Sequence, residues 1–112
     1  MVLTAKYLFI VNMDVEPEFE DLFNEVYDME HVPNICKVPG VIMAYRLKLE
    51  DVGSRTSNKS AKTLQRYMAI YVLESPKRPG SDAWAALAEI GRWPTEVRPH
   101  TFNRRHELRK IL

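Results

Sequence analysis

The sequence predicts an α+β domain in which four strands form one antiparallel sheet and two helices cover one of its faces. Four stretches have the composition or the alternation of strands, at residues 7–11, 41–50, 64–74 and 100–109. Between them lie two stretches whose apolar residues follow the 3.6-residue period of an amphipathic helix. The resulting order, β-α-β-β-α-β, is that of the ferredoxin-like unit.

The length and composition are those of one globular domain, and we expect residues 1–112 to form it. The 112 residues match the usual domain size of about 100–150. Hydrophobic residues make up 46% and charged residues 28% of the chain, which is ordinary globular composition. The net charge of +1 shows no imbalance that would call for a nucleic acid or an anionic membrane as partner.

Other features favour a cytoplasmic protein. The longest apolar run, Tyr7–Val11, is much shorter than the roughly 20 residues of a membrane helix. No basic segment precedes this run, which argues against a signal peptide. The single cysteine, Cys36, excludes a disulfide within the chain and fits a reducing compartment.

The first strand and the first helix follow each other closely. Tyr7–Val11 is an unbroken run of β-forming residues. Asp14 is placed to cap a helix, and Pro17 is tolerated in the first turn. We expect this helix to end at about His31, because Pro33 pushes the residue before it out of the helical conformation. Its apolar face repeats at Phe19, Leu22, Phe23 and Val26.

Two alternating strands flank a long polar stretch. After the Pro39-Gly40 turn, residues 41–50 alternate with a period of two, and residues 64–74 do so again. Residues 51–63 between them have little to bury, and a connection of this length is typical of a lid or a mobile loop.

A second, shorter helix and a last strand complete the order. Ser81 is a favourable N-cap, Asp82 suits the first turn, and Gly91 ends the helix. Residues 100–109 predict the last strand. In that strand one set of alternate positions carries Phe102, Arg104, His106 and Leu108.

Acidic and basic residues are segregated along the chain. Residues 14–30 contain eight acidic and no basic residues, whereas residues 92–112 contain six arginines or lysines against two acids. We interpret the two segments as separate solvated faces, since exposed ion pairs stabilise little. Contact between the segments is the alternative.

The predicted sheet has apolar side chains on both faces, although the helices can cover only one. In the second and third strands one set of alternate positions carries Tyr, Leu and Met, and the other set is apolar as well: Ile42, Ala44, Met68, Ile70 and Val72. An apolar surface of this extent usually marks a partner. We therefore expect a homodimer in which two sheets pack about a two-fold axis.

The first helix carries the leading candidate for chemistry. Phe23, Tyr27 and His31 are four residues apart and share one face of that helix. At a helix C-terminus the dipole favours imidazolium, so His31 is a candidate general acid or base, with Tyr27 and Tyr45 as possible catalytic partners. A histidine that only caps helix carbonyls is the alternative.

Further polar and aromatic side chains lie within apolar surroundings and are candidates for binding a ligand. They suit an apolar cavity with a few oriented polar groups, which is the usual form of a small-molecule site. Ordinary core packing is the alternative for each of the tyrosines. The candidates are Phe23, Tyr67, Tyr71, Trp84, Trp93, Arg98 and His100.

Motifs for metals, cofactors and nucleic acids are missing from the sequence. There is no glycine-rich phosphate loop, no nucleophile elbow, and no paired-cysteine or HExxH metal signature. The aromatic pattern of RNA-binding ferredoxin-like domains is missing too. We expect no metal, no cofactor and no nucleic acid.

Two segments resemble the dimeric α+β barrel superfamily, and specifically its EthD-like family. The run Tyr27-Asp28-Met29-Glu30-His31-Val32-Pro33 is similar to the Tyr-x-x-x-His-x-Pro segment that ends the first helix there. Val38-Pro39-Gly40-Val41, followed by Ala44-Tyr45-Arg46, is similar to the family's turn and second strand. The strand Tyr67-Met68-Ala69-Ile70-Tyr71 also fits the pattern.

This resemblance implies a ferredoxin-like protomer, a dimer that forms a barrel from two sheets, and a pocket between sheet and helices. It also implies that His31 is the acid or base of that pocket. The first hypothesis is a cofactor-independent enzyme acting on an aromatic or polyketide-like compound, and the second is a non-catalytic ligand-binding or accessory protein of a catabolic pathway. A purely structural dimer is the third.

Overall fold

The computed structural model describes residues 6–50 and 64–112. Its strands form one antiparallel sheet in the order β2-β3-β1-β4, which is the ferredoxin-like arrangement, and the predicted fold class is confirmed. The elements are β1 (Tyr7–Val15), α1 (Glu20–Val26), α2 (Val32–Ile35), β2 (Val41–Lys48), β3 (Tyr67–Leu73), α3 (Asp82–Ala88) and β4 (Thr101–Lys110).

The inner face of the sheet, which the helices cover, comes from alternate residues of β1 and β3. Phe9 pairs with Tyr71 and Val11 pairs with Ala69, and directly paired residues point to the same face. Trp84 of α3 packs edge-on against Phe9, with ring centroids 5.4 Å apart. The remaining buried core on this side includes Met13, Phe23, Val26, Ile35, Tyr67, Leu73 and Val97.

Strand β1 is longer than the sequence predicted, and Asp14 belongs to it. The predicted helix cap at Asp14 is therefore wrong. Its carboxylate instead accepts the backbone N–H of Arg66 at 2.7 Å and the side-chain amide of Asn103 at 3.0 Å. A 3₁₀ turn at Pro17–Phe19 leads into α1, with the proline at the start of the turn, where it removes no helical hydrogen bond.

The first helical segment continues past His31, so its predicted end is also wrong. Residues Tyr27–His31 form a π turn, in which the N–H of Val32 bonds to the carbonyl of Tyr27 five residues earlier. In a regular α-helix, Pro33 would clash with the carbonyl four residues before it. The wider π turn changes the hydrogen-bond pattern there, and the chain continues as α2 to Ile35.

The other predicted elements are found close to their expected limits. Strand β2 ends two residues before its predicted end and β3 begins three residues after its predicted start. The predicted lid or mobile loop at residues 51–63 lies outside the described residues. The predicted cap of α3 is confirmed, because Oγ of Ser81 accepts the N–H of Trp84 at 3.2 Å.

The acidic and basic segments meet in several places, among them the ion pairs of Arg92. Arg92 pairs with Glu25 at 2.9 Å and with Glu30 at 2.6 Å. Glu30 also accepts the backbone N–H of Arg92 at 2.9 Å. The prediction that the two segments form separate solvated faces is therefore wrong at this place. The same contacts hold the segment that carries Trp93 against the π turn.

The other face of the sheet is open, and the half of it formed by β2 and β3 is apolar. Residues Met68, Ile70 and Val72 of β3 are half-buried there, and their partners on β2, Met43, Tyr45 and Leu47, are exposed. Among the described residues, no helix is long and apolar enough to cross a membrane.

Candidate active site

A cleft with a cavity volume of about 100 Å³ lies between the inner face of the sheet and the helical layer. Strands β1, β3 and β4, the π turn, α3 and the segment at 93–98 all contribute to its wall. The lining residues are Phe9, Val11, Met13, Tyr27, His31, Tyr71, Trp84, Ala88, Trp93, Arg98, Arg104 and His106.

The π turn supplies the two polar side chains that come from the first helical segment. Tyr27 begins the turn and His31 ends it, and both side chains are buried. Their rings meet edge to face with centroids 5.1 Å apart. Trp93 stacks on the His31 ring at 4.4 Å, so the imidazole lies between fixed aromatic neighbours. Single π turns within helices often occur at functional sites.

His31 is a neutral imidazole at physiological pH. Its residue is 8% exposed, and Nδ1 is buried without a hydrogen-bond partner among the described residues. Burial, together with the charges of Arg98 and Arg104, lowers the pKa of His31 to about 4. The expectation that a helix end would favour imidazolium is wrong, because the helical segment does not end there and two cations lie nearby.

Two tyrosine hydroxyls accompany the imidazole. Tyr71 is 1% exposed, and its hydroxyl is buried without a hydrogen-bond partner among the described residues. The Tyr27 hydroxyl is close to it, although the two do not form a well-aligned hydrogen bond. Burial raises the pKa of both groups, so both remain protonated donors at neutral pH.

Two arginines and a second histidine line the cleft near β4. The guanidinium of Arg98 forms a two-pronged ion pair with Glu89, at 2.8 and 2.7 Å. Arg104 has no ion-pair partner among residues 6–50 and 64–112, and burial lowers its pKa. Burial also lowers the pKa of His106. No carboxylate is among the residues that line the cleft, so the local charge is positive.

The structure brings six of the predicted site residues together around this cleft, and it places Tyr45 elsewhere. The six are Tyr27, His31, Tyr71, Trp84, Trp93 and Arg98. Tyr45 pairs with Ile70 on the open face and is 53% exposed, on the opposite side of the sheet from His31. Its predicted partnership with His31 is therefore wrong.

Phe23, Tyr67 and His100 also lie away from the cleft, which corrects their predicted place in one site. Phe23 is fully buried behind Tyr27, with ring centroids 5.3 Å apart. The Tyr67 hydroxyl bonds to Glu20, near a separate polar groove. His100 stacks on Phe19 and binds Glu16 through Nδ1 at 2.6 Å.

Sequence reasoning passed over Arg46, Arg104 and His106. Arg46 lies behind the π turn, with its guanidinium 4.6 Å from the Tyr27 ring centroid and 2.8 Å from Asp28. Arg104 and His106 lie on the inner face of β4, two residues apart. The sequence shows that Arg104 and His106 lie on the same face of the strand, but it does not show that this face points toward the helices. Among the described residues, no group of three or more His, Cys, Asp or Glu side chains is arranged to hold a metal.

Comparison with solved structures places the fold among known proteins. An EthD family protein from Bacillus halodurans has a TM-score of 0.62 at 15% identity, over 96% of this chain and 99% of that one. A candidate antibiotic biosynthesis monooxygenase from Nitrosomonas europaea has a TM-score of 0.59 at 14% identity, over 95% and 98%. The heme-degrading protein MhuD from Mycobacterium tuberculosis, with two hemes in its active site, has a TM-score of 0.57 at 13% identity, over 95% of each chain.

These similarities confirm the predicted resemblance at the level of the fold. The chain shares its α+β fold with the EthD family protein and the other two structures over nearly its whole length. No protein-family model matches the sequence, and no curated protein matches it. At this identity the fold alone is shared, and the chemistry must be argued from the cleft itself.

Proposed function

We propose that this protein is a cofactor-independent enzyme that transfers a proton on an aromatic or polyketide-like small molecule bound in the cleft. One observation carries the proposal: the neutral imidazole of His31 and the hydroxyl of Tyr71 are both buried beside one cavity, each with an unpartnered polar atom. Leaving such groups unpaired costs about 1–3 kcal/mol each. A bound ligand with an acidic hydrogen and an oxygen atom would satisfy both.

The residues suit formation of an enolate or phenolate. His31 takes a proton from a C–H or O–H bond of the substrate, and the electron pair of that bond moves onto the substrate oxygen. Hydrogen bonds from Tyr71 and Tyr27 stabilise this oxyanion in a water-poor cavity. Return of the proton to another atom of the substrate completes an isomerisation, which needs no oxidant or reductant.

The low pKa of His31 is compatible with this role because the reaction creates its own counter-charge. An imidazolium about 4 Å from an oxyanion gains about 4 kcal/mol at an effective dielectric constant of 20. That energy corresponds to about three pKa units. It would bring the pKa of His31 from about 4 back to near its ordinary value.

A non-catalytic ligand-binding protein is the second candidate. In the absence of ligand, a base with a pKa of about 4 is weak, and this observation favours binding over catalysis. The cavity of about 100 Å³ is also small. A cavity of about 150 Å³ holds benzene, so a ligand of more than one ring must extend through the mouth of the cleft.

The cleft does not fit heme, the group that the Mycobacterium tuberculosis protein binds. A macrocycle does not fit a cavity of about 100 Å³ whose walls are Trp84, Trp93 and Tyr71.

Hydrogen–deuterium exchange of a small aromatic ketone tests the proposal. We expect the protein to accelerate exchange of the acidic C–H bonds of 2-indanone in D₂O, followed by NMR, above the rate in buffer. His31→Asn should lose about 100-fold of that acceleration, in line with general base catalysis. Tyr71→Phe should lose about tenfold through the missing oxyanion donor.

Two variants outside the cleft serve as matched controls. His100→Asn and Tyr45→Phe remove the same kinds of group at sites away from the cleft, and both should exchange at the wild-type rate. Exchange no faster than in buffer would rule out proton transfer on such ketones. If 2-indanone then still quenched the fluorescence of Trp84 and Trp93, which both line the cleft, the binding protein would be the correct description.

We also propose that the active form is a cytoplasmic homodimer. The open face of the sheet, with Met68, Ile70 and Val72 at its centre, supports a second copy packing against it. The single cysteine, Cys36, suits a reducing compartment.

A further inference from the structure

We propose that the ligand of the cleft carries a carboxylate, which Arg104 binds while the rest of the ligand lies against the aromatic wall. This inference rests on the proposed function, because it names the substrate class of that same cleft. It goes further in naming a negatively charged group through which the natural ligand is held in the cleft.

The charges around the cleft are unbalanced. Arg98 and Arg104 both line it, and its wall includes no aspartate or glutamate. The carboxylate of Glu89 holds both terminal nitrogens of Arg98, so the charge of Arg98 is already matched. Of these two arginines, Arg104 is the one without an anionic partner among the described residues.

Arg104 is also held in an unfavourable environment. Partial burial and the charge of Arg98 lower its pKa, although the residue is exposed overall where it lines the cleft. A like charge nearby is destabilising, and an anionic ligand between the two guanidinium groups would relieve it. The planar guanidinium fork matches a carboxylate in two parallel hydrogen bonds.

The size of the cleft and its single unpaired arginine favour a carboxylate over a phosphate as the ligand's anionic group. A phosphate ester brings up to two negative charges and a bulkier group, whereas Arg104 alone offers an unpaired positive charge here. The cavity of about 100 Å³ is smaller than one of about 150 Å³ that holds benzene, so only a small part of the ligand is enclosed and the rest extends through the mouth of the cleft. The expected class is therefore a small aromatic or enolisable carboxylic acid, whose reacting end meets His31 and Tyr71.

Benzoate and benzamide form a matched pair of probes, because they have nearly the same shape and differ in charge. Binding is followed through the fluorescence of Trp84 and Trp93, the two tryptophans of the chain, which both line the cleft. We expect wild-type protein to bind benzoate at least about tenfold more tightly than benzamide. Arg104→Gln should remove this preference by weakening benzoate about tenfold and leaving benzamide unchanged.

Arg105→Gln is the matched control. Arg105 is the next residue on β4, and its side chain pairs with Glu107 on the open face at 3.3 Å. The benzoate preference should survive this change. Equal binding of the two probes by wild-type protein, or binding of neither, would overturn the inference, as would an equal loss in Arg105→Gln. Because 2-indanone is uncharged, its exchange reports on the proposed proton transfer independently of these results.

Discussion

His31 shows how neighbours that are distant in sequence decide the chemistry of one side chain. The spacing of Tyr27 and His31 was enough to predict that they share a helix face. The charge state of His31 was not predictable in this way, because it depends on burial and on Arg98 and Arg104. Those arginines lie more than 60 positions later in the chain, and only the fold brings them to the cleft.

Acid should destabilise the protein partly through His31. The pKa of His31 is about 4 in the folded protein and about 6.5 when unfolded, so the unfolded state binds more protons between those values. Its contribution is therefore present above about pH 6.5 and is lost as the pH falls to 4, by up to about 3 kcal/mol. Urea unfolding of wild type and His31→Gln from pH 7 to 4 measures the difference. Parallel stability curves for the two proteins would contradict the low pKa.

Gly91, like Gly40, is a position where the backbone requires glycine. Its φ angle is +76°, and an added Cβ would lie 2.6 Å from Oε1 of Glu30. Gly91→Ala should cost about 1–2 kcal/mol in the free energy of unfolding, because the left-handed conformation strains an L-residue. Gly80→Ala is the control, since an added Cβ there meets nothing within 4 Å. Chemical denaturation of both variants should show a loss for Gly91→Ala alone.

The strands show what a period-two pattern can and cannot predict. Alternation located β2 and β3 well, but it could not tell which set of alternate residues faces inward. In β2 the inward-facing set changes at a register irregularity between Val41 and Met43. Val41 pairs with Leu73 on the inner face, whereas Met43 pairs with Val72 on the open face. As a result Tyr45 faces outward and Arg46 faces the helices, the reverse of the predicted site.

Strand β4 contains a second irregularity of this kind. Asn103 has a φ angle of 54°, and the register shifts beside it. Phe102 therefore pairs with Asp14 on the open face, whereas His106 pairs with Val11 on the inner face. The sequence placed Phe102 and His106 on one side, because a bulge cannot be recognised from alternation alone.

The N-cap of α3 should be a measurable part of the stability. Oγ of Ser81 accepts the backbone N–H of Trp84, a residue whose ring forms part of the cleft. Ser81→Ala should cost about 1 kcal/mol in the free energy of unfolding. Ser75→Ala, in an exposed turn with a longer bond of 3.3 Å to Lys77, should cost less. Equal losses in thermal or urea unfolding would show that the cap has no special role.

The molecule has one sheet face buried under helices and one apolar face open. The amino-acid pattern predicted this asymmetry correctly, since both sets of alternate residues in the central strands are apolar. The cleft required more than pattern, because its wall draws on three strands, the π turn, α3 and the segment at 93–98. Recognition of the fold from the helix-to-strand motif was therefore possible, whereas the full wall of the cleft was not predictable.

Assembly is tested by placing a charge at the centre of the open face. Wild-type protein should sediment at twice its chain mass of 13.1 kDa, and Ile70→Lys should sediment as a monomer that keeps its fold by circular dichroism. Met29→Lys is the control, because Met29 is exposed in the π turn, away from the open face. A monomeric wild-type protein at micromolar concentration would exclude the dimer.

The most direct measurement is an NMR titration of the imidazole of His31, assigned by its loss in the His31→Asn variant. The chain has three histidines, so the spectrum is simple. We predict that His31 stays neutral down to a pKa of about 4 and that its ring nitrogens shift when 2-indanone is added. An ordinary pKa for His31 together with no response to the ligand would contradict a buried, unpartnered base facing a binding cleft.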